Sequence, residues 1–466
     1  MINKSALLRA SGQCRDPFKE ISEGKFWLVI VPLKALRGNL FNRLVQDSGF
    51  QKQLCLAFID ECDPIGEQES GFRPSCESIG DLRARLPGSI PWVAVSGSLP
   101  REPFDGVMSS LGFHRGRYVR ASLPVDNPYV CYVPRFHSYP TSGIAFLDLA
   151  WLIPPTATSA TDITKTLIFC ETFDLGHRVE RFLERLLPRS FSRDTIRPHH
   201  SLISDRGRLL VMERFREGTT RIIVASDCFT CGSDFTDIRN VVVFGLPSSF
   251  SKLVQQIGQA GRDGEQAYAI AYAPPWVEET PRSSEKGTER ETAESKMRNE
   301  MCPVLRRWFN PTKNSCPRDV LCFQFDEEPT HPRNCCTMHC EDLPNMEPEE
   351  SQVTAFTPQR TKVPTARPHG TCPPLSEDER LSASRMISTW TRQKWAETYP
   401  VNTLRPPGDF LSELDQDRLC ENLRAITSIE ALSGVLCDWP HLEEYKTELY
   451  QLCENALKEL DSRKGA

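Results

Sequence analysis

Leu56-Ala57-Phe58-Ile59-Asp60-Glu61-Cys62-Asp63 is the stretch on which the reading of this chain turns: four apolar residues that end in paired carboxylates. The apolar run reads as a buried strand, and acids at its carboxyl end stand where a parallel sheet presents ligands. There an aspartate can hold Mg²⁺ through water while the next glutamate polarises an attacking water. The octapeptide alone fits an acidic turn equally well. Its continuation favours the first reading: Phe72-Arg73-Pro74, then Ile79-Gly80-Asp81-Leu82-Arg83-Ala84-Arg85-Leu86-Pro87, then Pro91-Trp92-Val93-Ala94-Val95-Ser96-Gly97-Ser98.

Outward from there, short apolar runs alternate with helical stretches from Phe26 to about Ala273, the pattern of βα units that build parallel sheets. Strands are expected at 27–31, 54–60, 92–96, 166–170, 221–226, 241–244 and 267–272, and helices at 173–187 and 209–217. Small and polar residues at 154–166 suggest a hinge between two such domains. After Pro274 the stretch 280–300 is charged and has no hydrophobic period, which predicts a solvated linker or a frayed helix. Ser376 to Glu379 fits a capping box that opens a helical segment containing Met386, Trp390, Trp395, Leu411 and Leu414. The tail from 419 to 460 also reads as helical, and in the helical part after 375 Trp390, Trp395 and Trp439 read as core rather than base-stacking platforms.

Composition limits the class. The chain has 466 residues, 39% hydrophobic, with a net charge of -6. No apolar run approaches the roughly 20 residues that cross a bilayer, and no charged-then-apolar leader opens the sequence, which argues against membrane insertion and secretion. A nuclear or cytosolic location is expected. The acidic total does not exclude nucleic acid, because binding depends on where Lys and Arg cluster; Arg115, Arg117 and Arg120 form a modest basic run. Of 18 cysteines, six crowd between Cys302 and Cys340, which in a reducing compartment suggests a metal site.

The order of these motifs resembles the RecQ helicase family, in which an Asp-Glu pair is followed by an aromatic-rich loop ending in Phe-Arg-Pro and by a strand ending in Ser/Thr-Ala-Thr. Thr166-Leu167-Ile168-Phe169-Cys170 resembles motif IV, and His199-His200-Ser201 resembles the family's short His-containing element. Residues 221–234, with Ala225-Ser226-Asp227 and Gly232, resemble motif V. Val254-Gln255-Gln256-Ile257-Gly258-Gln259-Ala260-Gly261-Arg262-Asp263-Gly264 resembles motif VI. The resemblance runs over residues 26–275. It implies catalytic roles for Asp60, Glu61 and Arg262, the last as a cation offsetting charge on the γ-phosphate. It implies nucleotide contacts for Gln256, Gly261 and Asp234, with ATP and Mg²⁺ as cofactors. It implies contacts to phosphates of single-stranded or junction DNA through Phe72, Arg73, Ser96, His200, Ser201 and Ser226. For the single hydroxyls, ordinary turn or cap chemistry is the competing reading.

The sequence departs from the family in several places. Gly-x-x-x-x-Gly-Lys-Ser/Thr, the loop whose N–H groups cradle phosphates, occurs nowhere in the chain, and only 59 residues precede Asp60. Val31-Pro32-Leu33 resembles the family's Ser-Pro-Glu element, which follows that loop, so the expectation is that the missing part is N-terminal. Cys62-Asp63, Gln68, Leu33, Gly97, Thr230 and Gln259 also stand where the family has other residues. Gln259 replaces an arginine near the γ-phosphate, which further weighs against ATP hydrolysis.

The family usually follows its second motor domain with a zinc-bearing helical platform. Cys302-Pro303-Val304-Leu305 resembles its opening helix and Cys335-Cys336-Thr337-Met338-His339-Cys340 its later cluster. Cys302, Cys322, Cys336 and Cys340 are the first expected Zn²⁺ ligands, with Cys316, Cys335 and His339 as alternatives. The expected architecture is therefore α/β: a partial first RecA-like domain with the P-loop NTPase fold (1–150), a complete second one (151–275), a charged linker (276–300), a zinc-type platform (301–345), a Pro-rich linker (346–375) and an all-α module (376–466). The expected activity is that of an ATP-dependent 3′ to 5′ DNA helicase, impaired in ATP hydrolysis in this chain. The rival readings are a catalytically silent single-stranded nucleic-acid binder and a DEAD-box-like RNA helicase, which Asp60-Glu61-Cys62-Asp63 superficially suggests. The oligomeric state is left open.

Overall fold

A computed structural model describes residues 16–62, 73–188, 190–226, 229, 234–279, 288–312, 314–340, 343–356, 375–398, 410–411, 413–436, 439 and 441–462. It divides into two compact units, Met1–Phe356 and Thr357–Ala466. Phe72, Gln68, Asp227, Thr230 and Gly232, all singled out in the sequence, lie outside the described residues.

The first unit contains two parallel sheets. In the smaller, β1 (Ala57–Ile59) pairs with β2 (Trp92–Ala94), Phe58 opposite Val93. One face packs on helices, with Phe41, Leu44, Val45, Leu86 and Ile90 at its centre. The other face leaves Phe58 58% exposed. The larger sheet runs in the order β3 (Val130–Phe136), β8 (Ala267–Ala273), β7 (Asn240–Phe244), β4 (Thr166–Cys170), β6 (Ile222–Ala225), β5 (Ile196–His199), parallel throughout. Its inner strands are near-continuous apolar runs because helices cover both faces. Ile168, Ile222, Val242 and Ile270 meet Val179, Phe182 and Leu183 of the helix Phe173–Leu186 in one core. That helix opens where Thr172 accepts the Leu175 N–H, and the helix Asp205–Glu217 closes at Gly218, whose φ of +83° is costly for a side-chain-bearing residue.

Three expectations need correction. Residues 27–31 form no strand, since no neighbouring strand among the described residues offers them hydrogen bonds, and Trp27 is fully exposed. Two strands were not foreseen, β3 and β5, and they form the two edges of the larger sheet. Both contain a proline, Pro134 and Pro198, which an edge tolerates and an apolar pattern does not reveal. Because β3 belongs to this sheet, the larger sheet draws on residues well before 151, the expected domain boundary.

Beyond β8, the helices Thr288–Glu300, Pro303–Phe309 and Pro317–Gln324 lead into a cysteine-rich knuckle. The knuckle covers the open edge of β3: Tyr132 N donates to Cys335 O at 3.2 Å and Thr337 N donates to Tyr132 O at 3.2 Å. A covered edge cannot template pairing with another chain.

The second unit is helical among its described residues: Glu377–Thr398, Glu413–Asn422, Ile429–Val435 and Leu442–Ser462. The capping box holds, with Ser376 N donating to Glu379 Oε2 at 2.8 Å and Glu379 N to Ser376 Oγ at 3.3 Å. Trp390 and Trp439 are buried in its core against Phe410, Leu419 and Leu449. No helix among the described residues is long and apolar enough to cross a membrane.

Candidate nucleic-acid interface and metal centre

Parallel pairing places the carboxyl ends of β4, β6 and β5 on one edge of the larger sheet. The register sets Phe169 opposite Ala225 and Ala225 opposite His199, so Cys170, Ser226 and His200 stand side by side at the strand ends. Ser226 N donates to His199 O at 3.2 Å, and Ser201 follows, exposed. The His200 ring is half-buried, meets Phe173 edge-on at 5.4 Å, and its Nδ1 has no hydrogen-bond partner among the described residues. Such an edge offers hydroxyls, ring nitrogens and strand-end N–H groups to phosphate oxygens. A cavity of about 740 Å³ continues it across the ends of β3, β8 and β7, lined among others by His137, Glu171, Gly245, Ser248 and Trp276.

His199 is the buried neighbour. It packs edge-on against Phe229 at 5.0 Å, and burial above all pushes its pKa down to about 4 from the usual 6.5. The folded state therefore holds it neutral while the unfolded chain protonates it. Its contribution to stability is complete above pH 6.5 and is lost as pH falls from there to about 4. Urea midpoints measured at about pH 7 and about pH 4.5 should fall less for His199→Gln than for the parent chain. Equal falls would show that other groups carry the acid sensitivity.

The opposite edge carries the residues expected near nucleotide. The helix Phe250–Ile257 ends at Gly258, whose carbonyl accepts Arg262 Nε at 3.0 Å. Gly261 N donates to Ile238 O at 3.1 Å and Asp263 N to Thr236 O at 3.2 Å, which ties this turn to the segment ahead of β7. Glycine suits position 261: φ is +58° and a Cβ would lie 3.0 Å from the Ala267 Cβ, so a side chain there is strained. Arg262 and Asp234 are exposed at this edge, whereas Gln256 is buried. Gln259 is also buried, and its Oε1 has no hydrogen-bond partner.

On the smaller sheet, Asp60 and Glu61 are exposed at the carboxyl end of β1, as expected. Glu61 N donates to Asp60 Oδ1 at 3.1 Å, and Glu61 has a φ of +49°, uncommon outside glycine. Ser96 follows β2, and its Oγ accepts the Ser98 N–H at 3.1 Å, which is turn chemistry. Arg73 begins the helix Arg73–Arg85. The acidic pair and Arg262 belong to different sheets.

The cysteines regroup. Cys316, Cys335, Cys336 and His339 bring their ligand atoms within 4.8 Å of one another, so of the four first-expected ligands only Cys336 takes part. Cys302 caps the helix Pro303–Phe309 and lines the cavity instead. Cys322 is buried on its helix, where burial pushes its thiol up to about 12. Cys340 packs against the sheet core, its Sγ 3.5 Å from Asn334 Oδ1. The group fits zinc: Cys316 and Cys335 Sγ lie 3.8 Å apart, as do sulfurs about 2.3 Å from a shared tetrahedral ion. Cys336 Sγ is 3.2 Å from His339 Nδ1. Hydrogen bonds from the Cys316 and Cys335 thiols hold Cys336 well below the ordinary cysteine range, and Arg318 Nε donates to Cys335 Sγ at 3.2 Å. Three buried thiols and an imidazole are the donor types of a structural zinc site, in which four protein ligands would leave no open position.

Residues 149–264, which carry four strands of the six-stranded parallel sheet, match the family described as the helicase conserved C-terminal domain. The chain is similar to the mouse bifunctional 3'-5' exonuclease/ATP-dependent helicase WRN, 26% identical over 266 residues that cover 57% of this chain and 18% of the relative. It is also similar to the ATP-dependent RNA helicase eIF4A of Chaetomium globosum, 25% identical over 258 residues covering 55% of this chain and 59% of the relative. Human ATP-dependent DNA helicase Q4 is 32% identical over 126 residues, 25% of this chain and 10% of the relative. The chain therefore spans less than two thirds of each of these proteins.

Proposed function

We propose that this chain is a RecQ-type DNA helicase component that binds single-stranded or junction DNA in the nucleus and carries a structural zinc. The observation that supports this reading most is the alignment of His200, Ser201 and Ser226 at the ends of adjacent strands, opposite a Gly261–Arg262 turn suited to nucleotide. Asp60 and Glu61 supply the carboxylates for Mg²⁺. ATP turnover also needs a phosphate cradle, and no Gly-x-x-x-x-Gly-Lys-Ser/Thr string occurs in these 466 residues. The chain alone therefore holds nucleic acid without hydrolysing ATP. DNA is favoured over RNA by Ala260-Gly261-Arg262-Asp263-Gly264 and the cysteine knuckle behind it. The similarity to eIF4A and the Asp60-Glu61-Cys62-Asp63 string support an RNA reading as the alternative.

Fluorescence anisotropy with labelled oligonucleotides tests this. Expected is weak binding to single-stranded DNA with little sequence preference, its log affinity falling with log salt by about 0.7 for each phosphate contacted. Unlabelled single-stranded RNA should compete less well than DNA. A preference for RNA would favour the alternative, and a sequence-specific, salt-insensitive duplex complex would defeat both.

A further inference from the structure

The knuckle holds a second imidazole. His331 places Nδ1 3.7 Å from Cys335 Sγ, while its Nε2 lies 2.9 Å from Asp319 Oδ1. The other Asp319 oxygen accepts the Cys316 N–H at 2.7 Å, so one carboxylate braces both a ligand and this ring. Cys316, Asp319 and His331 also bring ligand atoms within 4.8 Å of one another. Metal-binding histidines commonly donate their far ring N–H to a carboxylate, which fixes the tautomer and leaves the near nitrogen's lone pair for the metal. His331 has that arrangement already. A nitrogen and a sulfur sharing a tetrahedral zinc lie about 3.6 Å apart, and the 3.7 Å from His331 to Cys335 is closer to that than the 3.2 Å from His339 to Cys336. His331 also has a φ of +43°, a conformation uncommon outside glycine and one found where surroundings dictate an aim. The two rings face each other at 74°, with centroids 6.2 Å apart.

We propose that His331 is a second imidazole donor of this metal centre, positioned by Asp319, so that three thiolates are served by two interchangeable histidines. The inference rests on reading the cluster as a zinc site. With His339 bound the centre is Cys3His, and with His331 bound it is Cys3His again, so loss of either ring leaves four ligands. Both rings reach solvent, so their removal spares the core.

Co²⁺ titration of the full chain under reducing conditions tests the idea. The tetrahedral d–d bands and the thiolate-to-metal charge-transfer band report the ligands, and competition with a chelator reports affinity. His339→Ala and His331→Ala should each keep a tetrahedral spectrum and lose no more than about tenfold in affinity, while the double variant loses more than about a hundredfold. Asp319→Asn should weaken binding about 10–100-fold in the His339→Ala background, where His331 carries the fourth position, and far less in the parent chain. If His339→Ala alone behaves like the double variant, His331 is not a ligand and the proposal falls while the zinc reading stands. If the parent chain takes up no Co²⁺, both fall together.

Discussion

Arg318→Leu should destabilise the first unit by about 3–5 kcal/mol, the usual effect of breaking a buried ion pair from one side. Arg318 is fully buried on the helix Pro317–Gln324, and its guanidinium is shared among four groups. It pairs with Asp126, donates through NH1 to Asn127 O at 3.0 Å and through NH2 to Val130 O at 2.5 Å, and reaches Cys335 Sγ through Nε. Leucine fills part of the volume but leaves the Asp126 carboxylate buried with only the Thr330 N–H and hydroxyl as donors, at 2.9 and 2.8 Å. It also removes the Arg318 donor from the Val130 carbonyl, whereas the Asn127 carbonyl keeps the Val130 N–H at 3.2 Å. Adding Asp126→Asn should recover part of the loss, because it removes the stranded charge. Hydrogen exchange read at residues 125–136, together with the urea midpoint, gives the local and global effects. A change below about 1 kcal/mol would show that the pair is not what holds the knuckle to β3.

Zinc removal should have the larger local effect. Structural zinc contributes about 10–16 kcal/mol of apparent free energy in isolated finger peptides, more than a short knuckle has from its own apolar contacts. Elemental analysis of chain purified under reducing conditions should give about one zinc. A chelator should then abolish exchange protection from Cys316 to Cys340 and at Tyr132, whose amide and carbonyl both bond to the knuckle. The inner strands β7, β4 and β6 should keep theirs, since they are paired on both sides within the sheet. Protection unchanged by the chelator, or no metal on analysis, would mean that the thiols pack as a reduced cluster without an ion.

The inner strands β4, β6, β7 and β8 were legible because strands covered on both faces become almost purely apolar runs. The edge strands were not, since Pro134 and Arg135 in β3, and Arg197, Pro198 and His199 in β5, obey no apolar pattern. Trp27-Leu28-Val29-Ile30-Val31 shows the reverse failure: strand-like residues pair only where a neighbour supplies the ladder, and none does among the described residues. Asp60, Glu61 and Ser226 follow the ends of β1 and β6, which the apolar runs before them made legible. The cysteine cluster was harder, because Cys302-Pro303 and Cys316-Pro317 both open helices and look alike in sequence. Only tertiary packing, with Arg318 reaching Cys335, shows that the second returns to the knuckle. The local pattern Cys335-Cys336-Thr337-Met338-His339 was the usable signal. His331 had none, since its partner Asp319 lies across a turn.

In the proposed function, single-stranded nucleic acid lies along the carboxyl ends of the strands of the larger sheet. Photo-cross-linking a single-stranded DNA carrying a photoreactive base, followed by peptide mapping, tests it most directly. The account predicts adducts at Glu171 and Phe173, at His200 to Leu202 and around Ser226, weakening with added salt. Adducts confined to the opposite edge, around Arg262 and Asp263, or to the helical unit from Glu377 to Ser462, would contradict it.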